Sequence, residues 1–171
     1  SMLVNINGVT KDGVTSKDII LHLISKYGAN GANGHAIEFR GKAIDEMSIE
    51  SRLTLCNMAV EFGAMTGIIS PDKKTIDYIS GKPFAPKDEE QKLAEDYWTN
   101  HKSDDDAHFS KVIEVDASKL NTYVTWGTSP EHAIEIEEII PTVNPSNSKK
   151  ENESIQRALD YMGLKESDAI K

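Results

Sequence analysis

At 171 residues the chain is long enough to bury about 70% of its unfolded surface around one core. Its net charge of −9 and the lack of any basic run exclude nucleic acid, whose phosphates need neutralising cations. One cysteine excludes an internal disulfide framework and suits a reducing, cytoplasmic setting; no apolar run approaches a membrane span, and Ser1-Met2-Leu3-Val4 lacks the basic region and apolar core of a secretory leader.

Leu3 to Ile6 reads as a short strand or loop ahead of the first helix, with Lys11-Asp12-Gly13 as a turn. Thr15 with Asp18 three residues later approximates a capping box. Ile20, Leu23, Ile24 and Tyr27 then face one side and Gly28 stops the helix. His22 on this helix reads as a surface or satisfied histidine. The glycine-rich run 28–34 lacks the lysine-threonine ending of a phosphate loop and follows a helix, so it reads as a flexible connection. Ala36 to Arg40 is predicted as a strand turned by Gly41, and Thr66 to Ser70 as a short buried strand. Ser70, Pro71 and Asp72 read as cap, first turn and dipole partner of a helix ended by Gly81 and Pro83. Strands alternating with helices through Ser80 predict an α/β fold with a parallel-rich sheet flanked by helices.

Pro83 and Pro86 punctuate a linker-like bend before a charged helix from Asp88 to about Asn100, whose Leu93 and Tyr97, with Trp98 beside them, are expected to cover apolar surface. Asp104-Asp105-Asp106 reads as a solvated turn, because adjacent carboxylates do not converge like the alternating ligands of a calcium loop. Val112 to Val115, Thr122 to Trp126 and Ala133 to Ile136 are β-rich and are expected to pack beside the sheet. The expected organisation is an α/β core over 1–82, a charged helix and turn over 83–110, a β-rich segment over 111–140, a linker over 141–150 and a C-terminal helix over 151–171, in one compact domain.

The run 55–64 reads as the C-terminal part of a helix beginning near Ile49. Ile49, Leu53, Cys56 and Val60 recur at helical spacing as an apolar stripe, flanked by the polar row Glu50, Thr54, Asn57 and Glu61. Asn57 and Glu61 are four apart and so neighbours on one face, where a carboxylate beside a carboxamide can orient a water or a polar substrate. An ordinary amphipathic helix with a solvated flank carries the same spacing.

Cys56-Asn57-Met58-Ala59-Val60-Glu61-Phe62-Gly63-Ala64 resembles the C-N-M-x-x-E-x-G-A signature of the aconitase superfamily. Gly13-Val14-Thr15-Ser16-Lys17-Asp18-Ile19-Ile20-Leu21 is similar to that family's G-V-T-x-K-D-I-I-L segment, and His35 to Gly41 to its strand and turn. Pro83 to Pro86, Tyr97-Trp98, Ser103 to Ala107 and Val124-Thr125-Trp126-Gly127-Thr128 resemble the branch of 3-isopropylmalate dehydratase large subunits. The likeness is collinear over nearly the whole chain.

This resemblance implies a three-layer α/β domain and a hydro-lyase that moves water across a small hydroxy-dicarboxylic acid. It implies a [4Fe-4S] cluster held by three thiolates in the full-length protein, where one open iron acts as a Lewis acid. It also implies a separate small subunit as partner. Asn57 and Glu61 match the family's active-site asparagine and glutamate, whereas Cys56 matches no cluster ligand and reads as core. One cysteine cannot supply three thiolates, so no cluster and no activity are expected of this chain alone. Ser1-Met2 reads as a cloning remnant, and the chain as an internal piece of a longer subunit. The alternative is a stand-alone, non-catalytic binding domain on the same scaffold; a downstream G-S-C-T-N and a later C-x-x-C in the parent reading frame discriminate the two.

Overall fold

The computed structural model describes residues 1–165; the last part of the segment expected as a C-terminal helix, 166–171, lies outside them. Strand β1 (Met2–Asn7) leads to helix α1 (Ser16–Tyr27), strand β2 (Ala36–Arg40), helices α2 (Lys42–Glu46) and α3 (Ile49–Met58), and strand β3 (Thr66–Ile68). Helices α4 (Lys73–Ile79) and α5 (Asp88–Thr99) precede strand β4 (Lys111–Asp116), a hairpin of β5 (Tyr123–Thr125) and β6 (Ala133–Glu135), and helix α6 (Lys149–Met162). Four strands form a wholly parallel sheet in the order β3-β2-β1-β4, while β5 and β6 pair antiparallel. The α/β architecture expected from the alternation of elements is the one observed.

The core follows from the pleat. Alternate residues of β1, namely Met2, Val4 and Ile6, are fully buried. Val4 stands opposite Phe39 on β2 and opposite Ile113 on β4, and all three are buried. Ile20, Leu23 and Ile24 of α1 and Leu55 of α3, with Ala59 and Phe62 just after it, complete this core. Each such large side chain withdrawn from water stabilises the fold by about 1.5–3 kcal/mol. A second, smaller cluster joins Trp126 and Ile134 of the hairpin region to Ile140, Ala158 and Leu159.

Asp18 ties the two together. One of its oxygens accepts from the Thr15 backbone N–H (2.7 Å) and hydroxyl (2.6 Å), closing the capping box of α1. The other accepts from the Tyr123 backbone N–H at 2.7 Å and so fixes β5 to the helix. Beside it His22 Nδ1 lies 2.8 Å from Tyr123 Oη, which makes His22 a satisfied histidine as expected. Burial, with Glu135 and Glu138 adding to it, pushes the Tyr123 phenol up to about 12.

Burial, and then the neighbouring Lys26, hold the His22 imidazole below its ordinary value, with Glu135 opposing them. Protons therefore bind the unfolded chain first. The contribution of His22 is fully present above pH ~6.5 and is lost as the pH falls below that value. Urea unfolding at pH 7.5 and pH 5.5 is expected to show a decline in stability that is shallower in His22→Asn; parallel declines in the two proteins would remove His22 from the account.

Gly41 shows how tightly the sheet meets the helices. It caps α2 with φ +111, and a Cβ there would run into the Ile6 carbonyl and sit 2.8 Å from Asn5 Oδ1. The backbone of the central strand cannot yield, so Gly41→Ala is expected to cost about 3 kcal/mol from overpacking and left-handed strain together. The midpoint of urea unfolding reads this directly, and an unchanged midpoint would refute it.

Several expectations need correcting. β3 is not a buried strand: it is an edge strand whose Thr66 and Ile68 are exposed. The cap of α4 is Asp72, accepting from the Thr75 N–H at 3.0 Å, and not Ser70. α5 buries nothing among the described residues, and Leu93 and Tyr97 stand exposed. The segment 111–140 does not pack beside the sheet as one unit, because β4 enters the parallel sheet next to β1 and only β5 and β6 form a separate ribbon. No helix among the described residues is long and apolar enough to cross a membrane.

Candidate active-site face

Helix α3 begins as the sequence predicts. Ser48 caps it, its hydroxyl oxygen accepting from the Ser51 N–H at 3.2 Å. It ends at Met58, and 59–63 continue as a turn in which Gly63 takes φ +91. The helix is rotated relative to the sequence reading. Leu53 is 49% and Val60 61% exposed, with Ile49 and Cys56 half-buried, whereas Arg52, Leu55, Ala59 and Phe62 are buried. Both rows have helical spacing, and the hydropathy of Arg52 misassigned the buried one. Its aliphatic stem lies in the interior while its guanidinium is bonded to the Ile44 carbonyl (3.2 Å), the Asp45 carbonyl (3.1 Å) and Asp72 (2.6 Å).

Asn57 therefore lies in the last turn of α3 and Glu61 in the turn after it, both exposed, with no hydrogen bond between them. Leu53, Asn57 and Val60 share the outer face at steps of four and three, and Met65 beyond them is 77% exposed. A polar pair is thus set among large uncovered apolar side chains, the composition of a surface that meets another protein surface.

Glu61 also lines an open groove of about 320 Å³ between α1 and the end of α3, roofed by the turn that joins β5 to β6. Lys17, Leu21 and Met58 form its floor, with Thr128 and Ser129 across from them. Asn57 is not part of this wall. The roles of Lys17, Thr128 and Ser129 in the groove were not legible in the sequence, although the turn Thr125-Trp126-Gly127-Thr128-Ser129-Pro130 announces itself by its glycine and proline.

The glycine-rich run 28–34 supports this site instead of floating free. Ala32 is buried and its N–H donates to the Phe62 carbonyl at 3.0 Å. A Cβ on Gly31 would enter the Phe62 ring, and one on Gly63 would meet the Ala29 carbonyl at 2.7 Å. The glycines are there for close approach, so the loop braces the turn that presents Glu61.

Cys56 faces a small cleft with Leu53 and Ile69, and burial pushes its thiol up, which disfavours the thiolate a metal needs. Asp104, Asp105 and Asp106 form an exposed turn as expected. Among the described residues no group of three or more His, Cys, Asp or Glu side chains converges as a metal site.

Comparison with known proteins now adds to this geometry. The model of the family described as aconitase family (aconitate hydratase) matches residues 1–171. The 3-isopropylmalate dehydratase large subunit of Psychrobacter cryohalolentis is 44% identical over 170 residues, 99% of this chain. The chain spans only 36% of the length of that curated relative.

Proposed function

Because the chain belongs to the aconitase family, we propose that it is the part of a 3-isopropylmalate dehydratase large subunit that brings Asn57 and Glu61 to the active site. The observation that carries the reading is the 44% identity running through 99% of the chain. The longer subunit, joined by a small subunit, interconverts 2-isopropylmalate and 3-isopropylmalate by removing and restoring water in leucine biosynthesis. The uncovered apolar side chains around Asn57 support the idea that this face closes against the rest of the enzyme.

Within that enzyme the two side chains divide the work by their chemistry. The Asn57 carboxamide both donates and accepts, so it orients a polar substrate or water. The Glu61 carboxylate accepts a hydrogen bond from the water that leaves and returns, and relays its proton. The donors of this chain do not fit the [4Fe-4S] cluster the family uses, since the sequence has one thiol where the cluster takes three, and burial raises that thiol above its ordinary range. The cluster thiolates belong to other parts of the longer subunit, and this chain alone is inactive.

Anaerobic reconstitution of the 171-residue chain with iron and sulfide is expected to leave it colourless. The complete large subunit, treated the same way and paired with its small subunit, is expected to turn over isopropylmalate. A stoichiometric cluster in the chain itself, or a complete two-subunit enzyme inert toward isopropylmalate, would overturn the reading.

A further inference from the structure

The sequence holds three Asn-Gly steps, Asn7-Gly8, Asn30-Gly31 and Asn33-Gly34. Such a step carries its own chemistry. The glycine amide nitrogen can attack the side-chain carbonyl carbon of the asparagine before it, because no Cβ shields the approach. The fold closes two of the three. Asn7 Oδ1 accepts from the Lys42 backbone N–H at 3.0 Å. A Cβ on Gly8 would sit 2.8 Å from Asp116 Oδ1, so a carboxylate crowds that peptide and disfavours negative charge on it. The Gly31 N–H donates to the Gly28 carbonyl at 3.0 Å, and Gly31 itself is pressed against the Phe62 ring.

Asn33-Gly34 differs on each count. Both residues are exposed. Neither the Gly34 N–H nor the Asn33 carboxamide has a hydrogen-bond partner among the described residues. Gly34 takes φ +76, and nothing lies within 4 Å of where its Cβ would be. His35 Nδ1 stands 2.8 Å from the Asn33 carbonyl oxygen. A carbonyl only accepts, so that nitrogen carries the proton. The Asn33 C=O and the Gly34 N–H are two ends of one peptide group, whose electrons are delocalised from nitrogen to oxygen. A donor on the oxygen stabilises the negative charge that gathers there when the nitrogen gives up its proton. His35 thus activates the nucleophile.

We propose that Asn33 is a site of spontaneous covalent modification, through a succinimide to aspartate and isoaspartate. In the first step the Gly34 nitrogen bonds to Asn33 Cγ, the Cγ–Nδ2 bond breaks, and ammonia leaves with the amide proton. In the second, water opens the ring. Addition at Cγ leaves an aspartate, and addition at the main-chain carbon leaves the backbone running through the former side chain. Either product adds a negative charge beside Ala32, whose N–H holds the Phe62 carbonyl under the turn of Glu61. The proposal does not depend on the dehydratase reading.

The test sets the 171-residue chain beside an unfolded peptide of residues 27–37, both kept in mildly alkaline buffer and followed by tandem mass spectrometry of proteolytic fragments. The peptide has the sequence without the fold. The ratio of conversion at 33 to that at 30 is expected to be at least about fivefold higher in the chain, where the Gly31 N–H must first leave its hydrogen bond. His35→Phe is expected to slow conversion at 33 in the chain and to leave 30 unchanged. Conversion at 7 or 30 ahead of 33, equal ratios in chain and peptide, or a His35→Phe chain that converts as fast as wild type would overturn the proposal. Should His35→Phe fail to fold, the ratio in the wild-type chain decides it.

Discussion

Glu61→Gln in the complete two-subunit enzyme is expected to lower turnover about a hundredfold, or some 3 kcal/mol of barrier. The substitution keeps the size of the side chain and removes its charge and basicity. Glu61 is exposed here and packs into nothing that the change would disturb, so the fold of this region should be unaltered. The turn that presents it is braced from beneath by the Ala32–Phe62 backbone bond and by Gly31 and Gly63, and none of these involves the carboxylate. The effect therefore belongs in kcat, at equal iron loading, and not in expression or thermal stability. A solvated turn with no chemical duty predicts a change below about 0.5 kcal/mol. Turnover within twofold of wild type would leave only that bland description of Glu61. Asn57→Ala serves as the companion: it removes an orienting group and should raise KM more than it lowers kcat.

The strands and helices were legible because their signals are local. The Thr15–Asp18 capping box, the Gly28 stop, the start of α3 near Ile49 and the β-branched run of 112–115 each act within a few residues, and each is found where the sequence puts it. What was illegible depends on partners far along the chain. The sequence does not state that β4 inserts beside β1, more than a hundred residues upstream, because the alternation of Val112 to Val115 suits a ribbon and a sheet equally. α5 illustrates the opposite failure. Its Leu93 and Tyr97 have the spacing of a buried face, yet among the described residues they stand uncovered, since periodicity reports that a face is apolar and not what lies against it.

The candidate site was legible only in part. Asn57 and Glu61 were singled out by spacing and by resemblance, and the structure leaves both exposed, Asn57 in the last turn of α3 and Glu61 in the turn after it. The reading of that helix nevertheless put its buried face on the wrong row, Ile49-Leu53-Cys56-Val60 in place of Arg52-Leu55-Ala59-Phe62. A buried arginine looks polar to any hydropathy pattern, and the acceptors that make its burial possible are two carbonyls at 44 and 45 and a carboxylate at 72, none of them predictable from α3 itself.

Those acceptors set the largest expected effect on stability. Arg52→Ala should cost about 3–5 kcal/mol, from the cavity left by a buried side chain and from two carbonyls stripped of their donor. The Ile44 and Asp45 carbonyls lose their donor in a place water reaches poorly, and Asp72 loses the hydrogen bond that does most to hold its carboxyl down to about 2. At this chain length such a loss corresponds to a melting temperature lower by roughly 6–20 °C. Arg52→Met separates the terms: it refills the space of the stem and restores none of the hydrogen bonds, so it should recover only the packing part. Asp72→Asn should be milder, about 1 kcal/mol, because the Asp72 side chain is 38% exposed and solvent screens its charge. Acid titration gives an independent reading. With its folded-state value depressed from 3.8 to about 2, Asp72 contributes stability that is present above pH ~4 and is lost as the pH falls through that range. In Arg52→Ala this part of the acid sensitivity should shrink, since the Arg52 hydrogen bond contributes most to the depression while the bonds from Thr75 remain. A variant that melted with wild type and kept the same acid limb would mean that the guanidinium merely fills space, and that α3 is positioned by Leu55, Ala59 and Phe62 alone.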